Sequence, residues 1–413
     1  MKNFSNKWTC AAIPALLLHC SIGTVYCWSL FSAPIAKIFT ENGINADALG
    51  WAFSLAIFFL GMSAAFLGDF VEKDIHKASF IATICFAVGV AGTGFALRLQ
   101  SIPLVILFYG VIMGIGLGLG YLSPVKTLML WFSNNKGLAT GLAVAGFGAA
   151  KMIFSPIITA LVAAIGVENT LYVLAAVWFV MMFCGHLLLK KPEGWVEAHT
   201  KFEIKEFFKR FKIFLDPKFI GIWLVFYLNI TCGLALIHCE SEIYEILGLA
   251  SFAGVLCTAT GFFNAAGRLG YSAVGDRLKD RNTIYKIILF SELLLTAIAM
   301  LTGAIQNEIA WICIILLVVV NLGYGGGFSN LPTLLSDVYG MGKISSIHGI
   351  ALSAWAMAGL TGNQVASLIV KNSATQIAGY QNILYFTLAL YAAALIIDFL
   401  LIRNKRGKTT ENA

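Results

Sequence analysis

Long apolar segments recur along the whole chain and are separated by short polar loops. A helix needs about 20 apolar residues to cross a hydrocarbon core of about 30 Å, and twelve segments reach that length. They cover roughly residues 8–35, 47–70, 78–97, 102–132, 138–163, 169–189, 218–243, 249–275, 283–304, 309–336, 345–370 and 379–402. Because backbone groups in lipid must be hydrogen-bonded within their own segment, the pattern predicts an all-α integral membrane protein with twelve transmembrane helices.

The composition excludes the main alternatives to a membrane protein. Charged residues make up 12% of the chain, about half the ~25% of an ordinary soluble domain. With 59% hydrophobic residues, the chain lacks the polar surface that a soluble fold or a disordered chain requires. The nine cysteines form no CxxC and no Cys/His metal spacing, so we expect reduced thiols, no metal and no cofactor.

One long polar stretch, residues 190–217, divides the segments into six and six. Its phenylalanines have the spacing of an amphipathic helix on a membrane surface; they are Phe207, Phe208, Phe211 and Phe214. We therefore predict an N-terminal six-helix bundle (1–189), a cytoplasmic linker with an amphipathic helix (190–217) and a C-terminal six-helix bundle (218–413). Weak repeats relate the halves, such as GLGLGYLSPVKTL and LGYGGGFSNLPTLL, and repeats of this kind place a transporter's site at the midplane.

Lysine and arginine set the expected orientation. If both termini are cytoplasmic, 22 of the 28 Lys and Arg residues lie on the cytoplasmic side, 3 lie outside and 3 lie within segments. Cytoplasmic loops are the ones enriched in these residues. We therefore predict a multi-pass protein of the cell membrane with both termini in the cytoplasm.

Charged residues inside the apolar segments are the strongest functional signal, because a charge at the bilayer centre costs at least ~2.5–3.5 kcal/mol. Arg268 lies in the eighth segment, with Asn264 one turn earlier on the same face. A guanidinium beside an amide can bind a carboxylate, although a structural arginine paired with an acid or a helix end is the alternative. Lys151 lies near the middle of the fifth segment and faces either the cavity or a helix interface. Lys126, nearer a segment end, is expected to extend toward the membrane surface.

Two further ionisable residues are candidates for proton coupling. They are His19 in the first segment and Glu292 in the ninth. A hydrogen-bonded core histidine and an interhelical acid pair are the simpler interpretations.

Two short charged loops occupy equivalent places after the second and the eighth segments. The first contains Glu72 and Lys73, and the second contains Asp276, Arg277 and Arg281. Charges at helix ends can hold two halves together on one side and release them when the protein rocks. We predict a gating role for both loops, with ordinary cytoplasmic loop charge as the alternative for the first.

Aromatic side chains with a polar edge lie in the segments expected to line a central cavity. They are Tyr26, Trp28, Tyr121, Tyr324 and Trp355. Such residues supply both walls and hydrogen bonds in a small cavity. The alternative is an interfacial aromatic belt, which fits Tyr121 and Trp355 poorly because both lie well inside their segments.

Four strings together carry a family resemblance: GTVYCWSLFSAPI, LGLGYLSPVKTLMLWFSNNKGLATGLAVAGFGA, FFNAAGRLGYSAVGDR, and GYGGGFSNLPTLLSDVYG followed by IHGIALSAWAMAGLTG. They resemble the oxalate:formate antiporter family of the major facilitator superfamily, which is close to the monocarboxylate transporters. The resemblance implies the major facilitator fold and transport of small carboxylates by alternating access. It also implies substrate contacts from Tyr26, Tyr121, Asn264, Arg268 and Trp355.

Two positions depart from the family pattern. Ala358 stands where oxalate-type members have a second cation, so a dianion lacks its second partner unless Lys151 supplies it. Asn264 stands where animal proton-coupled carriers often have Asp. The second departure favours exchange, or coupling through the substrate's own proton.

We therefore predict a secondary active transporter of small organic anions, of the formate, lactate or pyruvate type, working as an antiporter or a proton-linked symporter. The expected partners are the carboxylate, the lipid bilayer and protons. We expect a monomer that binds no nucleic acid and is not an enzyme. An exchanger of oxalate or another dicarboxylate, an exporter of larger organic anions or hydrophobic compounds, a channel and a sensor remain as alternatives.

Overall fold

The computed structural model of the chain describes residues 6–194 and 208–402, and every regular element in these ranges is helical. Ten of the described helices are long and apolar enough to cross a membrane. One of them, Lys136–Leu188, is broken at Gly166, where φ is 78°, and so provides two crossings. The more polar helix Ala253–Gly275 is 23 residues long and completes the expected twelve.

We number the membrane-crossing helices in chain order. They are α1 (Trp8–Glu41), α2 (Asp47–Lys73), α3 (Ile75–Arg98), α4 (Ile102–Trp131), α5 (136–165), α6 (167–188), α7 (Pro217–His238), α8 (Ala253–Gly275), α9 (Thr283–Leu301), α10 (Ala310–Tyr339), α11 (Ile344–Lys371) and α12 (Gln376–Leu401).

The end of α7 differs from the sequence prediction. The apolar segment 218–243 suggested one continuous helix, but α7 ends at His238 and a separate helix, Glu240–Ile246, follows. Cys239 between them has φ −95° and ψ 10°, outside the helical range. Glu240 and its neighbours therefore lie outside the membrane-crossing helix.

Two sets of contacts join α1–α6 to α7–α12. Helix α2 packs along α11, and α5 packs along α8 and α10. Glycines allow these backbones to approach closely. A Cβ at Gly68 of α2 would lie 2.8 Å from the carbonyl oxygen of Ser345, and one at Gly141 of α5 would lie 2.6 Å from that of Arg268.

The membrane-crossing helices end at two faces of the molecule. We call the side where α1 begins and α12 ends the terminal face, and the other side the opposite face. Toward the opposite face, a shallow surface cleft of about 610 Å³ lies along α8 beside α5, lined by Met152, Gly254, Thr258 and Phe262 among others.

The described end of the linker contacts both sets of helices. Arg210 forms an ion pair of 3.0 Å with Asp69 of α2, and Tyr339 of α10 donates a 2.6 Å hydrogen bond to Asp216. Residues 210–215 form a 3₁₀ helix. Of the four phenylalanines that indicated an amphipathic helix, Phe207 lies outside the described residues, and the other three lie in the helical turns at 208–215.

Candidate functional site

Arg268 lies in the interior of the molecule, where α8 meets α5 and α10. Its residue exposure is 1%. The guanidinium carbon lies 5.7 Å from the ring centroid of Phe147 on α5 and 5.3 Å from that of Phe328 on α10. Two aromatic faces therefore stabilise this buried cation.

The polar contacts of Arg268 include no acidic side chain. Its Nε donates to Oδ1 of Asn264 at 3.0 Å, and its Nη1 donates to the carbonyl oxygen of Val144 on α5 at 3.0 Å. Within the described part of the chain, no acidic residue forms an ion pair with it. Among the described residues, Arg268 is therefore not a structural arginine paired with an acid. A buried charge without a counter-ion is costly, and an anionic ligand would remove that cost.

Two glycines make room for the guanidinium and its amide neighbour. A Cβ at Gly148 of α5 would lie 2.9 Å from Nε of Arg268 and 3.3 Å from Oδ1 of Asn264. A Cβ at Gly325 of α10 would lie 3.1 Å from Cγ of Arg268. The site is therefore formed by close backbone approach as much as by side chains.

Four of the predicted aromatic residues lie around this position. Tyr26 of α1 and Tyr324 of α10 share a 3.0 Å hydrogen bond between their hydroxyl groups. The ring of Trp355 on α11 lies 4.4 Å from Phe328, and Tyr121 on α4 lies 5.8 Å from Trp355, measured between ring centroids. The Tyr26–Tyr324 and Tyr121–Trp355 contacts join α1–α6 to α7–α12, whereas the Trp355–Phe328 contact lies within α7–α12.

Two polar atoms of these aromatic residues are buried without a hydrogen-bond partner. They are Oη of Tyr121 and Nε1 of Trp355. Buried polar groups are nearly always paired, so these atoms are candidate donors for a ligand bound by Arg268. Trp28 instead packs on Tyr109 of α4, with 4.2 Å between ring centroids.

At the terminal face, two acidic side chains each accept hydrogen bonds from the other set of helices. Asp276 accepts hydrogen bonds of 2.8 Å from the backbone nitrogens of both Gly137 and Leu138 at the start of α5, and it pairs with Arg281 at 2.7 Å. A carboxylate at a helix N-terminus is favoured by the exposed N–H groups and the helix dipole. Arg281 also bonds Asp337 at 2.9 Å.

Glu72 forms the second terminal-face contact. It accepts from the backbone nitrogen of Ser345 at 2.9 Å and from its hydroxyl at 3.2 Å, which connects α2 to α11. It also forms an ion pair with Lys126, whose side chain is 2% exposed. The prediction that Lys126 extends toward the membrane surface is therefore wrong, because a buried acid lies within its reach. Lys73 and Arg277 are exposed, and Arg277 takes no part in an ion pair with any described residue.

Comparison with known sequences identifies the family of the chain. The sequence model of the Major Facilitator Superfamily matches residues 17–363. The chain belongs to the major facilitator superfamily. It is 24% identical over 371 residues to the oxalate:formate antiporter of Oxalobacter formigenes, covering 89% of this chain and 86% of that protein. It is 23% identical over 354 residues to the uncharacterized MFS-type transporter YhjX of Escherichia coli (strain K12), covering 84% and 85%.

Solved structures of the superfamily share the fold. The transporter FucP in the outward conformation aligns with a TM-score of 0.68 at 12% sequence identity, covering 94% of this chain and 97% of that one. The all-helical fold with twelve membrane-crossing helices is thus the major facilitator fold that the sequence predicted.

In this major facilitator chain, two predicted residues, Lys151 and Glu292, lie apart from the group around Arg268, whereas the ring of His19 stacks on that of Tyr121 with 5.0 Å between centroids. Lys151 is exposed and precedes Met152, which lines the surface cleft along α8. Glu292 is 1% exposed and packs against Gly323 of α10. His19 is fully buried, its Nε2 lies 3.0 Å from the carbonyl oxygen of Tyr121, and its Nδ1 has no hydrogen-bond partner.

Sequence reasoning missed three residues next to the site. Phe147 and Phe328 enclose the guanidinium, but a phenylalanine in an apolar segment carries no signal that separates it from the core. His348 of α11 is 1% exposed, and its ring centroid lies 5.9 Å from that of Tyr121. His348 is the one histidine in the apolar segment 345–370, and this is the sequence signal that could have identified it. No group of three or more metal-ligating side chains occurs in the described ranges.

Proposed function

We propose that the chain carries small monocarboxylates, of the formate, lactate or pyruvate type, across the cell membrane by alternating access. The observation that supports this proposal is the buried Arg268, which has aromatic faces on two sides and no acidic partner in the described part of the chain. One guanidinium and one carboxylate together are neutral. A monoanion therefore compensates the buried charge, whereas a dianion leaves an excess charge.

The residues around Arg268 have complementary roles in this proposal. The guanidinium binds the carboxylate, and Asn264 holds Nε in place through the 3.0 Å hydrogen bond. Tyr121 and Trp355 offer their unpaired donors to the anion. Tyr26 and Tyr324 close the site between α1 and α10. A substrate of a few heavy atoms suits a site enclosed by so many rings.

The helices α1–α6 and α7–α12 act as the two moving units of the transport cycle. In the structure, the terminal-face contacts of Asp276 and Glu72 hold these units together. We place the terminal face in the cytoplasm, as the distribution of Lys and Arg predicts. The structure then corresponds to a state closed toward the cytoplasm, and breaking these contacts opens the site to that side.

Counterflow in proteoliposomes tests the proposal directly. Vesicles loaded with one carboxylate should take up labelled formate, lactate or pyruvate with saturable kinetics. Arg268→Ala should abolish uptake, whereas the matched variant Arg98→Ala should keep it, because Arg98 lies at the opposite face in an ion pair with Glu168. Saturable export of uncharged hydrophobic compounds, with no carboxylate carried, would contradict the proposal.

A second candidate function is the exchange of oxalate or another dicarboxylate. The observation that favours it is the exposed side chain of Lys151, three residues after Gly148, which borders Arg268. A second cation here could neutralise a dianion. Lys151→Met should then abolish dianion exchange selectively, whereas monocarboxylate exchange at equal pH on the two sides should stay largely intact.

A further inference from the structure

Glu240 is a buried acid that the anion site does not use. It is the first residue of the helix Glu240–Ile246, which follows α7. Its exposure is 5%. Unlike Glu292, which packs into the α9–α10 contact, Glu240 lies toward the opposite face, in contact with Thr260 of α8.

Two hydroxyl groups hold its carboxyl group. Oε1 accepts a 2.5 Å hydrogen bond from Thr260 of α8 and a 3.1 Å hydrogen bond from Tyr244. Thr260, Asn264 and Arg268 are spaced by four residues and therefore lie on one face of α8. The carboxyl group is thus connected to the helix that carries the proposed anion receptor.

The charge that faces Glu240 from the other set of helices is Lys151. The ammonium of Lys151 on α5 acts electrostatically on Glu240, but the two do not form an ion pair in the described structure. The remaining titratable neighbours are Tyr244, Cys239 and Glu242 beside it in the chain, Cys257 on α8 and Cys313 on α10. Lys151 is the one described cation in this set.

We propose that Glu240 is the proton-binding residue of the transport cycle, and that Lys151 displaces its proton by pairing with the carboxylate when the opposite face closes. The proton enters from the opposite face with the anion, and it leaves into the cavity that opens toward the terminal face. One proton and one monoanion then cross together, with no net charge moved. The coupling of the proton to a monoanion rests on the proposed function.

The chemistry of the group suits this role. Burial raises the pKa of Glu240 to about 7, although the hydrogen bonds from Thr260 and Tyr244 and the charge of Lys151 act to lower it. An opposite charge within about 4–6 Å lowers the pKa of a carboxyl group by roughly 1–3. Approach of Lys151 therefore shifts Glu240 toward its ionised form at neutral pH.

Transport measurements on the full chain give the first test. In proteoliposomes, net uptake of formate or lactate by the wild type should rise several-fold when the outside is made acidic, while exchange at equal pH needs no gradient. Glu240→Gln should lose the stimulation and keep the exchange. Glu245→Gln is the matched control, because Glu245 is exposed on the same short helix. Stimulation of Glu240→Gln equal to that of the wild type would overturn the inference.

Infrared difference spectra give a second test that needs no substrate. The anion-free wild type should show a carboxylic acid C=O band that titrates with a midpoint near pH 7, and this titrating band should be missing in Glu240→Gln. The other buried acids, Glu292 and Asp398, contribute to the spectra of both proteins and cancel in their difference. Lys151→Met and Thr260→Val should each raise the midpoint, because each removes a group that favours the ionised form. Thr260→Val keeps the test informative if Glu240→Gln does not fold.

The two readouts separate this inference from the proposed function. If no carboxylate is carried but the band titrates near neutrality and disappears in Glu240→Gln, the substrate class is wrong and the proton site stands. If carboxylates are carried and the band is absent or survives in Glu240→Gln, the proton site is wrong and the anion site stands.

Discussion

Replacement of Arg268 by lysine separates charge from geometry at the anion site. Lysine keeps the positive charge, but it cannot hold both the Asn264 contact and the Val144 carbonyl contact that the guanidinium makes at 3.0 Å each. It also lacks the planar fork that binds a carboxylate with two parallel hydrogen bonds. We therefore expect Arg268→Lys to bind anions much more weakly than the wild type while retaining the fold.

The expected loss of affinity follows from these contacts. A hydrogen bond to a charged group contributes about 1.5–3 kcal/mol, so loss of one of the two bonds to the carboxylate weakens binding roughly 10- to 150-fold. Arg268→Ala removes the charge as well. Truncating one partner of a buried charged pair costs about 2–5 kcal/mol, which corresponds to roughly 30- to 5,000-fold.

Thermal unfolding with and without anion measures this loss independently of transport. A ligand at 100 times its Kd stabilises the folded state by about 2.7 kcal/mol. If Arg268→Lys weakens binding about 100-fold, the same concentration equals Kd and the gain falls to about 0.4 kcal/mol. Arg98→Ala should keep the full gain. An undiminished shift in Arg268→Lys and Arg268→Ala, together with near-normal counterflow, would show that Arg268 does not bind the anion.

Three further predictions concern the packing, the gate and the topology. Gly148→Ala should abolish anion binding in a folded protein, because its Cβ would lie 2.9 Å from Nε of Arg268; ligand-induced thermal shifts measure this. Asp276→Asn should weaken the contact with the start of α5, where charge-assisted bonds contribute about 1.5–3 kcal/mol each, and should increase labelling of a cysteine introduced at Ser272 from the terminal face. In intact cells, impermeant thiol reagents should reach a cysteine at Ser373 but not one in residues 190–207.

Each of these predictions has a matched control or a contrary outcome. Gly254→Ala should leave binding unchanged, because nothing lies within 4 Å of a Cβ at that position. Arg277→Ala should not alter the labelling at Ser272, since Arg277 is exposed and outside the ion pairs of the described residues. Labelling of the linker from outside intact cells would reverse the proposed orientation.

The features that sequence reasoning found are those encoded within a single helix or by long apolar segments. The pairing of Arg268 with Asn264 follows from a four-residue spacing, and the structure contains that hydrogen bond. The number of crossings follows from segment length, even where Gly166 joins two of them without a polar loop. Both the four-residue spacing and the segment length are properties of one stretch of sequence. They do not depend on how the other helices pack.

The features that it missed depend on contacts between distant parts of the chain. Lys126 lies 54 residues from Glu72, so nothing in its own segment revealed that an acid would hold it in the interior. Phe147 and Phe328 enclose Arg268 only because α5, α8 and α10 meet there. Glu240 was assigned to an apolar segment because the break at Cys239 depends on backbone angles that composition does not predict.

The junction at Gly166 has a mechanical consequence for the membrane. Because α5 and α6 meet at a single residue with φ 78° rather than through a loop, a change in the tilt of α5 is passed to α6. Helix α6 presents Val173, Val177 and Val180 on the outside of the molecule, with exposures of 41–58%. In the proposed transport cycle, this motion displaces acyl chains around α6, and the turnover rate should depend on bilayer thickness and stiffness.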